Sequence, residues 1–138
     1  MSPADKTFPE PLRKTYPDAT SLIGLARIDR LDLLAILPQP VCVTAHVWDE
    51  VTGDPSKSGV AALLRARDQA LVVVVEEGDA SAYPQLDAGE STVLSAAATA
   101  GAVVLVDERK ARALIDADPR LRAAIPHATG LIGLLLLA

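Results

Sequence analysis

A short apolar run and a helical pattern meet in residues 41–51, which read VCVTAHVWDEV. Residues 41–43 are apolar and rich in β-branched side chains, which favours a strand. Thr44 is a plausible helix N-cap, and the residues after it have helical spacing up to the turn at residues 52–55. This stretch predicts a strand that leads directly into a helix.

The same alternation continues on both sides of this unit. Further helices are predicted at residues 22–37, 60–70, 91–101 and 108–117, and further strands at residues 71–75 and 102–106. Strands that alternate with helices of this length imply βαβ units, and continuous apolar strands are typical of parallel sheets buried on both faces. The fold class predicted is therefore α/β, a three-layer α/β/α sandwich with a central, mostly parallel sheet. A good first strand is missing, because residues 14–17 are short and polar and end in Pro17.

The size and composition of the chain indicate one domain. It has 138 residues, half of them hydrophobic, which suits a single core. We expect residues 1–17 to form a partly ordered N-terminal arm and residues 18–138 to form the domain. Neither a signal peptide nor an apolar stretch long enough to span a bilayer is present in the sequence, and Cys42 is a single cysteine in an apolar run. These features predict a cytoplasmic protein that does not use the membrane.

The charge balance argues against one class of nucleic-acid-binding protein. The chain has 18 acidic and 13 basic residues, a net charge of −5, and four aromatic residues in total. A broad basic surface or a base-stacking platform needs more lysine, arginine and aromatic side chains than this. Contact with nucleic acid would have to depend on a local site.

Four carboxylates are candidates for such a site, because ligands of open parallel sheets bind at the carboxyl ends of the strands. Asp107 directly follows the predicted strand at residues 102–106, and Asp18 has the equivalent position if residues 15–17 form the first strand. Glu90 lies at the start of a predicted helix, and Glu50 lies beside the apolar face of another. Each also has an ordinary interpretation, as a helix cap, a partner of a helix dipole or a solvated side chain.

Acidic side chains that meet at one sheet edge repel each other, and a divalent cation with oxygen ligands relieves that repulsion. Mg²⁺ or Mn²⁺ in such a site suits phosphoryl chemistry. Competing chemistries lack their motifs: His46 and His127 have no partners at zinc spacing, and the sequence contains no nucleophile elbow, P-loop or dinucleotide-binding glycine motif. Arg109 and Arg112 are either solvated or placed to contact a phosphate or the acids.

Five motifs resemble those of PIN-domain nucleases. Residues 18–23, DATSLI, resemble the family's opening Asp-x-Ser/Thr-x-Leu-Ile motif, and residues 43–51 resemble its second motif, a strand followed by a helix with an inward glutamate. Residues 86–90 (LDAGE) and 103–112 (VVLVDERKAR) are similar to a branch of bacterial and archaeal PIN proteins described as predicted nucleic-acid-binding proteins. Residues 129–135 (TGLIGLL) match the closing motif of that branch, so the resemblance covers residues 18–138.

The resemblance implies a metal-dependent ribonuclease. In it Asp18, Glu50, Glu90 and Asp107 bind Mg²⁺ or Mn²⁺, Thr20 adds a nearby hydroxyl, and Arg112 contacts RNA or an acid. Many relatives are toxins of VapC-type toxin–antitoxin pairs, dimeric and inhibited by a small antitoxin that enters the acidic groove. We therefore expect an endoribonuclease toxin that acts on RNA, forms a homodimer and binds a small antitoxin protein.

The sequence departs from the family pattern in three places, and two of them, the first strand and the short C-terminus, favour an alternative. Thr44 stands where the family usually has proline, a mild change at a helix start, and residues 14–17 replace an apolar first strand. The chain also ends soon after the closing motif, where relatives usually continue through another helix or strand, so the domain is either truncated or naturally short. The alternative is a catalytically inactive protein that keeps the PIN scaffold as a protein-binding module.

Overall fold

A computed structural model of the chain describes residues 14–106 and 128–129. Its strands are β1 (Thr15–Pro17), β2 (Cys42–Thr44), β3 (Val73–Val75), β4 (Val103–Leu105) and β5 (Ala128–Thr129). Its helices are α1 (Ala19–Arg27), α2 (Ala45–Thr52), α3 (Val60–Asp68) and α4 (Ala88–Ala100), with a 3₁₀ helix at Leu31–Ile36. The helix predicted at residues 108–117 lies outside the described residues.

The strands pair in parallel, which confirms the predicted α/β class. β1 pairs with β4, which pairs with β5, and β2 pairs with β3. A parallel bridge between Thr15 and Val41 places the two groups side by side. The resulting order is β5-β4-β1-β2-β3, so β1 is central and its carboxyl end lies between those of β4 and β2.

Residues 15–17, which the sequence pattern left in the N-terminal arm, form this central strand. All three are buried, and their polar groups have partners inside the fold. The Thr15 hydroxyl donates to the Pro38 carbonyl at 2.8 Å, and the Tyr16 hydroxyl donates to the Glu77 carboxylate at 2.9 Å. Buried polar groups that are hydrogen-bonded carry little penalty, which is why a polar sequence can serve as the central strand.

The helical pattern of residues 22–37 does not form one helix. α1 ends at Arg27, the chain turns through Asp29 at φ 56°, and the 3₁₀ helix follows. The turn is closed by the Arg30 amide, which donates to the Leu25 carbonyl at 2.9 Å. The spacing of apolar residues survives the turn because the 3₁₀ helix still buries Leu31, Leu33 and Leu34.

The strand predicted at residues 71–75 is shorter and less buried than its sequence indicates. β3 pairs with β2 alone among the described strands, and Val73 is 43% exposed. The prediction that it is buried on both faces is therefore wrong. By contrast, all of β4 is buried, as its sequence predicts.

The core fills the space between the helices and the sheet. Its largest fully buried side chains include Tyr16, Leu22, Leu25, Leu34, Val43, Val47, Leu63 and Leu105. Cys42 is buried among them, and burial together with the nearby Glu77 carboxylate raises the pKa of its thiol. Among residues 14–106, no helix has the length and apolar character needed to cross a membrane.

Candidate functional site

A small cleft of about 110 Å³ lies beyond the carboxyl end of β1, where α1, α2 and the start of α4 meet. Four carboxylates line it, those of Asp18, Glu50, Asp87 and Glu90. The other lining residues are Ala19, Thr20, Val47, Gly89 and Val93. Three of the four acids singled out in the sequence therefore face one cleft, together with Thr20 and with one acid that was not singled out.

Asp18 connects the central strand to α1. It is 2% exposed, and its Oδ1 atom accepts a hydrogen bond from the Ser21 amide at 2.8 Å, so it is the N-cap of α1. Its own amide donates to the Leu105 carbonyl at 3.0 Å. The capping role and the position in the cleft thus occur together, and the end of β4 lies beside Asp18.

Glu50 enters the cleft from α2. Thr44 caps this helix as predicted, since its hydroxyl oxygen accepts a hydrogen bond from the Val47 amide. Val47 and Val51, on either side of Glu50 in the helical spacing, are buried, while Glu50 itself is exposed. Glu50 therefore lies at the border of the apolar face of α2, where its carboxylate reaches the cleft.

Glu90 and Asp87 belong to the start of α4, which begins three residues earlier than the sequence pattern indicated. Asp87 is the N-cap, and its Oδ1 atom accepts a hydrogen bond from the Glu90 amide at 2.8 Å. Carboxylates are favoured at this end of a helix by its dipole. An aspartate followed three residues later by a glutamate, just before an apolar run, is a known sign of a helix start, and it could have identified Asp87 from the sequence.

Gly89 lies where the acids of α2 and α4 come together. A Cβ atom on residue 89 would lie 3.4 Å from Glu50 Oε1, 3.6 Å from Asp87 Oδ1 and 3.8 Å from Val47 Cγ2. Gly89 is buried, and these three side chains surround the position of its missing Cβ atom. No local pattern singles out this glycine, because its contacts join two separate helices.

The segment that leads to Asp87 is held firmly against α4. Gly78 has φ +96° and lies so close to Thr92 that a Cβ atom would overlap the Thr92 backbone. The Ser91 hydroxyl donates to the Asp79 carbonyl at 2.8 Å, and the Asp79 amide donates to the Ser95 hydroxyl at 2.7 Å. Near its start, Glu77 accepts the hydrogen bond from Tyr16. These contacts fix the direction from which the chain reaches the cleft.

Asp107 and Arg112, the remaining predicted site residues, lie outside the described residues. The last described residue of that region, Val106, follows β4, whose Leu105 carbonyl accepts hydrogen bonds from the Asp18 amide and the Ser21 hydroxyl. The roles of these two residues stay predictions.

The donor set of the cleft fits Mg²⁺ or Mn²⁺. Both ions prefer oxygen ligands, and Mg²⁺ is commonly bound through one or two carboxylates with water completing its shell. The gap over Gly89 leaves room beside the Glu50 carboxylate. Within residues 14–106, however, no group of three His, Cys, Asp or Glu side chains is arranged so that it could hold a metal ion.

Comparison with known proteins agrees with this architecture. A family model described as PIN domain matches residues 17–138. Among solved structures, the chain is similar to the crystal structure of PAE2754 from Pyrobaculum aerophilum, with a TM-score of 0.54 and 15% identity, covering 91% of this chain and 96% of that one. At that identity the similarity bears on the fold alone, and it confirms the predicted α/β sandwich. No curated protein matches the chain.

Proposed function

Since this chain belongs to the PIN-domain family, whose members are generally nucleases, we propose that it is a divalent-metal-dependent endoribonuclease that hydrolyses RNA phosphodiester bonds. The observation that carries the proposal is the cleft at the end of β1, where acids from three separate segments face each other. Helix capping explains the positions of Asp18 in α1 and Asp87 in α4. It does not explain why Glu50 of α2 lies against the start of α4.

Asp18, Glu50 and Glu90 would hold the ion together with Asp107, and Thr20 would add a hydroxyl at the rim. When bound, Mg²⁺ or Mn²⁺ activates water as a nucleophile and neutralises charge that develops on the phosphate. Without such a cation, four carboxylates in one cleft would repel the RNA backbone. This requirement reconciles a net charge of −5 with a substrate that is a polyanion.

The residues of the cleft differ in exposure, which suggests a division of roles. Asp18 is buried and held by the Ser21 amide, so its position is fixed. Glu50 is exposed, so water can reach its carboxylate. We assign to Glu50 the role of general base: it accepts the proton that water loses when the water oxygen bonds to phosphorus. The bond from phosphorus to the ribose oxygen breaks, and that oxygen takes up a proton from solvent.

The test is cleavage of single-stranded and structured RNA in the presence of Mn²⁺ or Mg²⁺. We expect Glu50→Gln, Glu90→Gln and Asp107→Asn to lower the rate by more than about 100-fold, beyond what outer partners of metal ligands usually cost. Asp49→Asn is a matched control, because Asp49 is an exposed acid beside Glu50 on α2 that does not line the cleft. Undiminished cleavage by Glu50→Gln or Glu90→Gln would refute the assignment.

We further propose that the protein is the toxin of a toxin–antitoxin pair, is a homodimer and binds a small antitoxin. Support comes from the resemblance of its motifs to VapC-like proteins. Induced expression in a bacterial host should arrest growth, Glu50→Gln should abolish the arrest, and co-expression of the product of an adjacent small reading frame should relieve it. Growth arrest by the Glu50→Gln variant would contradict a nuclease toxin.

An inactive PIN scaffold that binds a protein partner is the second candidate. One observation favours it: residues 14–106 offer no group of three acids arranged to hold a metal ion. A thermal-shift titration with Mn²⁺ separates the candidates. Clear stabilisation of the native chain that is lost in Glu50→Gln and kept in Asp49→Asn supports the nuclease, and no stabilisation supports the scaffold.

A further inference from the structure

A chain of buried hydroxyl groups links the two helices that carry Glu50 and Glu90. Thr44 and Thr92 are 1% and 2% exposed, and their Oγ1 atoms are 2.8 Å apart. Thr92 Oγ1 also donates to the Gly89 carbonyl at 2.7 Å, and Thr44 Oγ1 accepts from the Val47 amide at 3.4 Å. These contacts form one connected path from α2 to the start of α4.

Counting protons fixes the direction of this path. A threonine hydroxyl has one proton, and that of Thr92 is given to the Gly89 carbonyl. In the contact between the two threonines, Thr44 must therefore donate and Thr92 accept. The Val47 amide then donates to the Thr44 hydroxyl, the Thr44 hydroxyl donates to that of Thr92, and the Thr92 hydroxyl donates to the Gly89 carbonyl. Each donor in this path has an acceptor.

Both ends of the path reach the wall of the acidic cleft. Val47 precedes Glu50 by three residues, so the two lie on neighbouring positions of the same side of α2. Gly89 stands between Asp87 and Glu90, and the space above its Cα atom is bordered by Glu50 Oε1 and Val47 Cγ2. A change in the distance between Thr44 and Thr92 would therefore change how closely Glu50 approaches the acids of α4.

The bond between the two hydroxyls is not itself a helix cap. Thr44 caps α2 through its contact with the Val47 amide, and Asp87 caps α4. The bond between the threonines adds something that neither cap supplies, a directional contact between the two helices. Side chains in such buried networks orient the groups attached to them.

We propose that Thr44 and Thr92 are positioning residues that set the separation of the Glu50 and Glu90 carboxylates, and so tune the affinity of the cleft for Mg²⁺ or Mn²⁺. The inference rests on the proposed function for the identity of the ion.

The test is Mn²⁺ affinity, measured by calorimetry on the full chain at a temperature well below the unfolding midpoint. Thr44→Val and Thr92→Val keep nearly the same shape without the hydroxyl, and each should weaken Mn²⁺ binding by on the order of tenfold. Thr44→Ser keeps the hydroxyl and should restore native affinity. The double variant should lose less affinity than the two single losses added together, because the two residues share one bond. Thr92→Val leaves the cap of α2 in place, so its loss of affinity does not come from the cap.

Two controls match the positioning residues helix by helix. Thr52→Val in α2 and Thr99→Val in α4 remove hydroxyls that donate to Trp48 and Ser95 carbonyls, outside the cleft lining. Both should lower the unfolding midpoint without changing Mn²⁺ affinity. Thr44→Val with native affinity would overturn the inference, as would an equal loss in the two controls.

The outcomes for the inference and for the proposed function can be told apart. If the native chain binds Mn²⁺ and cleaves no RNA, the nuclease assignment fails while the affinities of the threonine variants still decide the inference. If the native chain cleaves RNA and Thr44→Val binds Mn²⁺ normally, the inference alone fails. If the native chain binds no Mn²⁺, both fail.

Discussion

Glu50 Oε1 lies 3.4 Å from the point that a Cβ atom on Gly89 would occupy. The carboxylate of one helix therefore rests against the bare backbone of another, in the second residue of α4, where alanine would be the better helix former. Local helix stability favours alanine at this position, whereas glycine leaves the space beside the Glu50 carboxylate open.

Gly89→Ala should therefore separate stability from ion binding. At 3.4 Å the added methyl group makes ordinary van der Waals contact, and helix propensity favours alanine by up to about 1 kcal/mol, so we expect a higher unfolding midpoint. The methyl group takes the space beside the Glu50 carboxylate, so Mn²⁺ affinity and RNA cleavage should fall. Calorimetry and urea unfolding measure the two effects on the same sample.

Ala88→Gly is the matched control for that variant. Ala88 is exposed, precedes Gly89 in the same helical turn and does not line the cleft. It should lower stability by a similar amount and leave Mn²⁺ affinity unchanged. The contrary result is an Mn²⁺ affinity that rises in the more stable Gly89→Ala and falls in the less stable Ala88→Gly. The affinity would then follow helix stability, and the contact between Glu50 and Gly89 would have no separate role.

Tyr16 makes stability depend on alkaline pH. Burial, and the hydrogen bond to the Glu77 carboxylate, raise the pKa of the Tyr16 hydroxyl well above its ordinary value near 10. The folded state thus keeps the proton above pH 10, whereas the unfolded state loses it. The resulting stabilisation is complete below about pH 10 and is lost as the pH rises further, with a slope of up to about 1.4 kcal/mol per pH unit.

Tyr16→Phe should remove that part of the alkaline slope and lower stability at pH 8 by about 1 kcal/mol through loss of the hydrogen bond. Urea unfolding between pH 8 and 11, followed by the fluorescence of Trp48, the single tryptophan, measures both. Tyr83→Phe removes the other tyrosine and is the control, because it keeps the hydrogen bond between Tyr16 and Glu77. The raised pKa of Cys42 adds its own loss at alkaline pH, so the informative quantity is the difference between native and Tyr16→Phe.

The sequence predicted those features that depend on local spacing. The N-cap Thr44, the extent of α2 and the buried strand β4 all follow from residue types within one element. It failed for β1, because what stabilises that strand is a set of partners distant in sequence, the Pro38 carbonyl and the Glu77 carboxylate. It also failed at Asp29, where the turn that divides the helical pattern preserves the apolar spacing.

For the site, the sequence pattern indicated Asp18 at a strand end, Glu90 at a helix start and Glu50 beside the apolar face of its helix, and these three acids line one cleft. What the pattern did not show is how closely they approach, because this depends on Gly89 and on the bond between Thr44 and Thr92. Each joins two helices that are about 45 residues apart in sequence, and no spacing rule for a single element contains such a relation.

Arg67 should contribute little to stability although it contacts an aromatic ring. Its guanidinium carbon lies 5.4 Å from the centre of the Trp48 ring, and its side chain is 46% exposed. Exposed contacts of this kind are worth about 0.5–1 kcal/mol. Arg67→Gln should therefore lower stability by less than about 1 kcal/mol and shift the emission of Trp48, while Arg65→Gln on the same helix should leave that emission unchanged.

Alanine at Gly78 should cost more stability than alanine at Gly101, which is the matched control. Both have positive φ, +96° and +65°, so alanine at either is strained by about 1 kcal/mol or more. At Gly101 a Cβ atom would meet nothing within 4 Å, whereas at Gly78 it would lie 2.4 Å from the Thr92 carbonyl oxygen. Gly101→Ala should thus lose only the stability that corresponds to the backbone strain, and Gly78→Ala should lose several kcal/mol of stability, on the order of 3.

Because Thr92 also bonds Thr44, a Gly78→Ala chain that still folds should bind Mn²⁺ weakly, while Gly101→Ala should bind it normally. Equal losses of stability in the two variants would show that backbone conformation alone governs both positions, and that the close approach of residue 78 to α4 is dispensable.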